Sequence, residues 1–268
     1  VTIIRDGLPV AHPVTTPSAS VLAIGPGELV VAPHQTESGA GDLWTILSDG
    51  TSERLYRGGG QLDLLGVLVV PGFGAGRWLA FTEGYPLSTG PTPVGSEPWM
   101  SYLVLLNLET NGRIVMPADA GEGGLTGIAS LGTHIVVSVA GEGDSWFEGR
   151  NVASEVLPIA HNPASYDFEE ERAVVVTQLV AIADTQWWAF VEADDYQGNV
   201  GEYLVIFDPA SGTQITRSPV PGSDEEGAWV WEADADSERV VVTTAVWDGT
   251  QYGFAAHVCG GEVVEAPR

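Results

Sequence analysis

The sequence predicts a single all-β domain over residues 1–268, and three observations carry that reading. Short runs of Val, Ile, Leu, Trp and Tyr are punctuated by turn residues roughly every eight to twelve positions, the rhythm of strands rather than helices. Thirty-four Gly and 17 Pro supply the turn chemistry that many short strands require. A four-residue phrase, apolar-apolar-small-apolar, recurs along the chain and leads each time through a turn into a second strand rich in Trp or Val. Repetition at the span of a four-stranded sheet points to a β-propeller of five blades.

Taken in order, the inner strands start near residues 21, 64, 125, 179 and 229. The first is Val21-Leu22-Ala23-Ile24 before Glu28-Leu29-Val30-Val31, and the second is Leu64-Leu65-Gly66-Val67 before Arg77-Trp78-Leu79-Ala80-Phe81. Leu125-Thr126-Gly127-Ile128 precedes His134-Ile135-Val136-Val137, and Leu179-Val180-Ala181-Ile182 precedes Gln186-Trp187-Trp188-Ala189-Phe190. The fifth copy is Trp229-Val230-Trp231 before Arg239-Val240-Val241-Val242. Innermost strands crowd one another, so the small residues Ala23, Gly66, Gly127 and Ala181 mark where larger side chains would collide.

Each copy continues into an outer hairpin. Leu43–Leu47 turns at Ser48-Asp49-Gly50 into Glu53–Tyr56, Tyr102–Leu106 runs into Glu109-Thr110-Asn111-Gly112, and Tyr203–Phe207 runs into Pro209-Ala210-Ser211-Gly212. These hairpins resemble those of WD-repeat and YVTN-type propellers, in which a strand ending like Phe207-Asp208-Pro209-Ala210-Ser211-Gly212-Thr213 is common. The resemblance covers most of the chain, is structural, and carries no catalytic residue across. Val1–Arg5 reads as a strand that pairs with the last blade, so that the N- and C-terminal strands close the ring and remove its open edges.

Charge narrows the partners. The chain has 36 acidic residues against ten basic ones, all of them Arg, for a net charge of −26. So negative a field repels phosphate backbones and anionic headgroups, which argues against nucleic acid and membrane surfaces as partners. No apolar run reaches the roughly 18 residues of a membrane helix, so no insertion is expected. Cys259 is alone, which excludes an intrachain disulfide.

On a propeller, the loops between second and third strands share one face. Here they are long in blades two to four: Glu83 to Pro98, Gly141 to Ser154 and Glu192 to Gly201. They carry Tyr85, Glu97, Trp99, Trp146, Phe147, Asp194, Asp195 and Tyr196, aromatic rings interleaved with carboxylates. Rings of that kind stack on the apolar side of a sugar while carboxylates accept from its hydroxyls. The expected function is therefore recognition of a glycan or a protein, at an extracellular or cell-surface location.

Two alternatives use the same fold. A glycoside hydrolase needs an acid and a base or nucleophile roughly 5 to 9.5 Å apart, and Asp63, Glu83, Asp144 and Asp195 are its candidates. A structural or assembly subunit would instead bind through its rim. No cofactor is expected beyond calcium, whose candidate ligands are Asp194, Asp195, Asn199 and Glu202, at a spacing that departs from the EF-hand loop. The five histidines form no ligand pair, and the chain lacks a Gly-x-Ser-x-Gly elbow, a phosphate loop and a dinucleotide fingerprint. His134 reads as structural, and His34 lies on the long-loop face.

Overall fold

A computed structural model of the chain describes residues 2–5, 8–11, 19–25, 28–33, 41–47, 49–86, 99–118, 124–140, 145–163, 166–167, 172–173, 175–182, 185–193, 202–223, 228–235, 240–247 and 252–259. They are almost entirely strand, with one 3-10 turn at Pro71–Phe73. No helix among them is long and apolar enough to cross a membrane.

A hairpin of β1 (Thr2–Arg5) and β2 (Leu8–Ala11) comes first. Sheet 1 follows as β3 (Ala19–Gly25), β4 (Glu28–Pro33), β5 (Asp42–Ile46) and β6 (Ser52–Arg57), and sheet 2 as β7 (Gln61–Leu68), β8 (Trp78–Pro86), β9 (Trp99–Asn107) and β10 (Arg113–Pro117). Sheet 3 is β11 (Gly124–Leu131), β12 (His134–Ala140), β13 (Ser145–Arg150) and β14 (Val156–Leu157). After a small pair, β15 (Tyr166–Asp167) and β16 (Arg172–Ala173), sheet 4 is β17 (Val175–Ala181), β18 (Trp188–Ala193), β19 (Glu202–Asp208) and β20 (Thr213–Pro219). Sheet 5 comprises β21 (Ala228–Ala235), β22 (Val240–Trp247) and β23 (Tyr252–Cys259). Within each of sheets 1 to 5 consecutive strands pair antiparallel and a predicted inner strand comes first, while sheets 3 and 4 are continuous with each other through a parallel pairing of β11 with β17.

Two expectations are corrected. β1 pairs with β2, Thr2 opposite Ala11 through Arg5 opposite Leu8, rather than with the last sheet, because only two residues of sequence separate it from β2. The stretch from Gly141 to Ser154 is not one loop: residues 145–150 continue the ladder, Val139 facing Trp146 and Val137 facing Glu148.

The chain divides into two compact units, Val1–Val67 with Gly76–Asp119 and Leu68–Ala75 with Ala120–Arg268. In the first, one core joins sheets 1 and 2 through Val30, Ala32, Leu43, Leu79, Phe81, Val104 and Leu106. In the second, sheet 4 is buried on both faces. Alternate side chains of β18 point opposite ways, so Trp188 and Phe190 meet Val136 and Phe147 of sheet 3, while Ala189 and Val191 meet Val230 and Val242 of sheet 5. The Trp188 indole also donates to the Ser130 carbonyl at 3.0 Å, tying β18 to β11.

The small residue of the third inner strand has the predicted reason. β11 and β17 lie side by side in parallel, Ile128 opposite Val180. A Cβ on Gly127 would collide with the backbone N and O of Leu179. Both strands carry a register shift at this approach, between Leu125 and Gly127 and between Thr177 and Val180, where Gln178 takes φ 54°. Such bulges increase local twist and let two inner strands converge.

Candidate functional site

Along β8 the face that carries Leu79 and Phe81 into the core presents Glu83 next. The alternation of a strand thus brings a carboxylate to the buried margin of sheet 2, where it is only 5% exposed. A charge taken out of water needs donors. The Tyr56 hydroxyl donates to Oε2 at 2.8 Å, the Gly59 N–H donates to Oε1 at 2.6 Å, and the Tyr85 hydroxyl interacts with the same carboxylate. With both oxygens committed to its own chain, Glu83 is a fixed acceptor that clamps β6 and the β6–β7 connection to β8.

Tyrosines surround the clamp. Desolvation, reinforced by the hydrogen bond and charge of Glu83, pushes the Tyr56 and Tyr85 hydroxyls up to about 12, while Arg113 pulls Tyr56 the other way. Both stay protonated and able to donate at neutral pH. Tyr56 meets Phe81 edge to face at 5.0 Å, Tyr85 meets Tyr102 at 6.2 Å, and the Tyr102 hydroxyl donates to Met100 Sδ at 2.9 Å.

Three glycines let the connection come this close. Gly58 N–H donates to the Gly41 carbonyl at 2.8 Å and Gly41 N–H to the Gly60 carbonyl at 2.9 Å. A Cβ on Gly58 would strike the Gly41 oxygen, one on Gly60 the Gly84 oxygen, and one on Gly59 would lie 3.0 Å from the Tyr85 ring. Side chains are excluded here by backbone packing rather than by dihedral demand.

Sheet 4 repeats the arrangement in its own unit. Trp78-Leu79-Ala80-Phe81-Thr82-Glu83 aligns with Trp187-Trp188-Ala189-Phe190-Val191-Glu192, and Tyr102-Leu103-Val104 with Tyr203-Leu204-Val205. Glu83 stands opposite Tyr102 and Glu192 opposite Tyr203. Glu192 Oε2 accepts from Arg217 Nε at 2.9 Å, and the guanidinium lies 3.4 Å above the Tyr203 ring. Glu83 was expected as a catalytic candidate, and Glu192, Tyr102 and Tyr203 as loop and strand starts; the alignment of the two strand pairs is the sequence signal for the shared Glu–Tyr pairing, and Arg217 has no such signal.

The remaining predicted residues are scattered. Asp63 is half-buried on β7, Trp99 opens β9, and Trp146 is half-buried on β13. Phe147, expected on a binding surface, is 3% exposed and packs edge to face on Trp188 and Phe190, because it falls on the inward face of β13. His34, Glu97, Asp144, Asp194, Asp195, Tyr196 and Asn199 lie outside the described residues. Glu202, the remaining candidate calcium ligand, turns Oε2 to the Val230 N–H of β21; burial raises its carboxyl, opposed by that hydrogen bond. Its backbone N–H donates to Ser223 Oγ at 2.9 Å, so it knits the connection between sheets 4 and 5. Among the described residues no three His, Cys, Asp or Glu gather as a metal site. The Nε2 of His134 is buried without a hydrogen-bond partner, and burial lowers its pKa, consistent with a structural role.

No protein-family model matches this chain, and no curated protein does. Among solved structures, it is similar to a puromycin hydrolase mutant complexed with PGG, at TM-score 0.48 and 14% identity, over 93% of this chain and 37% of that one. It is also similar to a chain from a structural and mechanistic study of two prolyl endopeptidases, at TM-score 0.45 and 10% identity, over 87% of this chain and 32% of that one. The chain thus spans about a third of the length of each.

Proposed function

We propose that the five sheets close into a five-bladed β-propeller that recognises a glycan or a protein through the face bearing the loops after β8, β12 and β18. The observation that carries this reading is the clamped tyrosine cluster at the loop end of sheet 2. Tyr56, Tyr85 and Tyr102 offer rings with polar tips beside an immobilised carboxylate, and Gly58–Gly60 hold the adjoining connection close. Side chains fixed in advance lose little freedom on binding, which favours recognition. With both its oxygens engaged, Glu83 suits positioning better than proton transfer. The location that fits this role is extracellular or cell-surface, and calcium at Asp194, Asp195, Asn199 and Glu202 is a subsidiary proposal.

The test is retention of the purified chain on a panel of immobilised polysaccharides, with the supernatant assayed for new reducing ends and chelator added in a parallel series. Retention without release, weakened by Tyr85→Ala and Trp99→Ala, supports glycan recognition. Release of reducing ends overturns it in favour of a glycoside hydrolase and directs mutagenesis to Asp63, Asp144 and Asp195. Absence of both eliminates the glycan and leaves a protein ligand. Loss of retention on chelation supports the calcium set, and unchanged retention removes it.

A further inference from the structure

We propose that Asn111 is a spontaneous deamidation site whose reaction is gated by the turn between β9 and β10. Asn111-Gly112 is the chain's only Asn-Gly pair, and both residues are exposed. Glycine leaves the following nitrogen open to approach: a Cβ on Gly112 would meet only Thr110 Oγ1, at 3.2 Å. In the reaction the Gly112 nitrogen attacks Asn111 Cγ and loses its proton as the new C–N bond forms, and the carboxamide nitrogen leaves as ammonia. Water then opens the cyclic imide at either carbonyl, giving aspartate or isoaspartate. Water is the only co-reactant.

The native turn holds that attack back. Asn111 has φ 57°, in the left-handed well where ψ is about +47°, and ring closure requires the Gly112 nitrogen to swing over to the side chain. That nitrogen already donates to Thr110 Oγ1 at 3.2 Å, and the same hydroxyl donates to Asn107 Oδ1 at 2.9 Å. Asn107 Oδ1 also accepts from the N–H groups of Glu109 at 3.1 Å and Thr110 at 2.9 Å. Its backbone N–H donates to the Gly112 carbonyl at 2.8 Å, and its carbonyl accepts from Asn111 N–H at 2.9 Å. Attack therefore proceeds from an opened turn, and its rate follows the opening equilibrium. Each event adds a negative charge to a chain already at −26, and the isoaspartate product inserts a backbone methylene beside the Leu106–Arg113 register.

The experiment incubates the full chain in mildly alkaline buffer, folded and in urea, and follows the amide-to-acid mass change by peptide mass spectrometry. The expected result is conversion at Asn111 ahead of every other asparagine, slower in the folded chain than in urea. Thr110→Val, checked for native circular dichroism, should raise the folded rate, and Asn107→Ala should raise it by at least about tenfold, the effect on a local opening of losing the three hydrogen bonds that Asn107 Oδ1 accepts. Asn111→Gln should abolish the signal. Earlier conversion elsewhere would overturn the site; equal rates in folded and unfolded chains, or a folded Thr110→Val chain reacting no faster than the parent, would overturn the gate.

Discussion

The Tyr56 hydroxyl donates to Glu83 Oε2 at 2.8 Å and joins the last strand of sheet 1 to the second strand of sheet 2 across 27 positions of sequence. Removing that donor deprives a buried carboxylate of one of the hydrogen bonds that hold it. Tyr56→Phe should therefore destabilise the chain by about 1 to 3 kcal/mol, read as a lowered urea midpoint with unchanged slope. An unaltered midpoint would mean that water replaces the hydroxyl without loss.

The same clamp has a pH signature. Because Tyr56 and Tyr85 are pushed up to about 12 from 10, their contribution is complete below the unfolded value and is lost as pH rises through the folded one. Spectrophotometric titration should show two of the seven tyrosines ionising late, together with unfolding in the pH interval between those values. Tyr56→Phe should remove one of the late titrations.

Glycine crowding can be tested at Gly60 and Gly127. Gly60→Ala and Gly127→Ala each drive a methyl into backbone, at the Gly84 carbonyl and at Leu179 respectively. Overpacking of this kind costs about 1 to 3 kcal/mol or more. Gly50→Ala is a useful contrast: nothing surrounds its Cβ position, but φ is 85°, so its cost comes from backbone strain alone. Chemical denaturation of the three variants measures these costs, and a Gly127→Ala chain as stable as the parent would contradict the close approach of β11 and β17.

For Glu202, burial raises the folded carboxyl above its unfolded value, so the folded chain binds that proton more tightly. Its contribution favours folding at low pH and is lost as pH rises through the unfolded and then the folded value. Urea midpoints across the acidic range should fall less steeply with rising pH in Glu202→Gln than in the parent. Identical slopes would place Glu202 in water.

Net charge predicts a salt response. At −26 the folded chain repels itself, and added salt screens that repulsion within a Debye length of about 10 Å at 0.1 M. Tm should rise with sodium chloride and level off at high concentration; a flat or falling profile would show that ion pairs such as Arg77–Glu109 outweigh the repulsion.

Much of the architecture is legible in the sequence because strand signals are local. Alternation, turn residues and the repeated phrase located the opening strands of sheets 1 to 5, though not the small β15–β16 pair, and the turns at Asp49-Gly50, Asn111-Gly112 and Ser211-Gly212 fell where the hairpins turn. Gly127 could be read as a close-approach residue since only crowding explains a small residue at that repeat position. Local pattern also misled. Val1–Arg5 is a good strand anywhere, and its partner depends on which edge lies nearest, a question of chain path rather than composition.

What tertiary structure alone decided is the direction and company of individual side chains. Trp146 and Phe147 are adjacent aromatics in sequence, yet pleating sends Phe147 into the core between sheets 3 and 4 and leaves Trp146 half-buried. In the sequence Glu83 read as a catalytic candidate at the start of a long loop. It became a clamp only when β6 brought Tyr56, and the glycine connection brought Gly59, to its two oxygens. Periodicity along the chain determines which residues share a face, whereas packing between sheets determines what that face meets, and the sequence carries the first far more directly than the second.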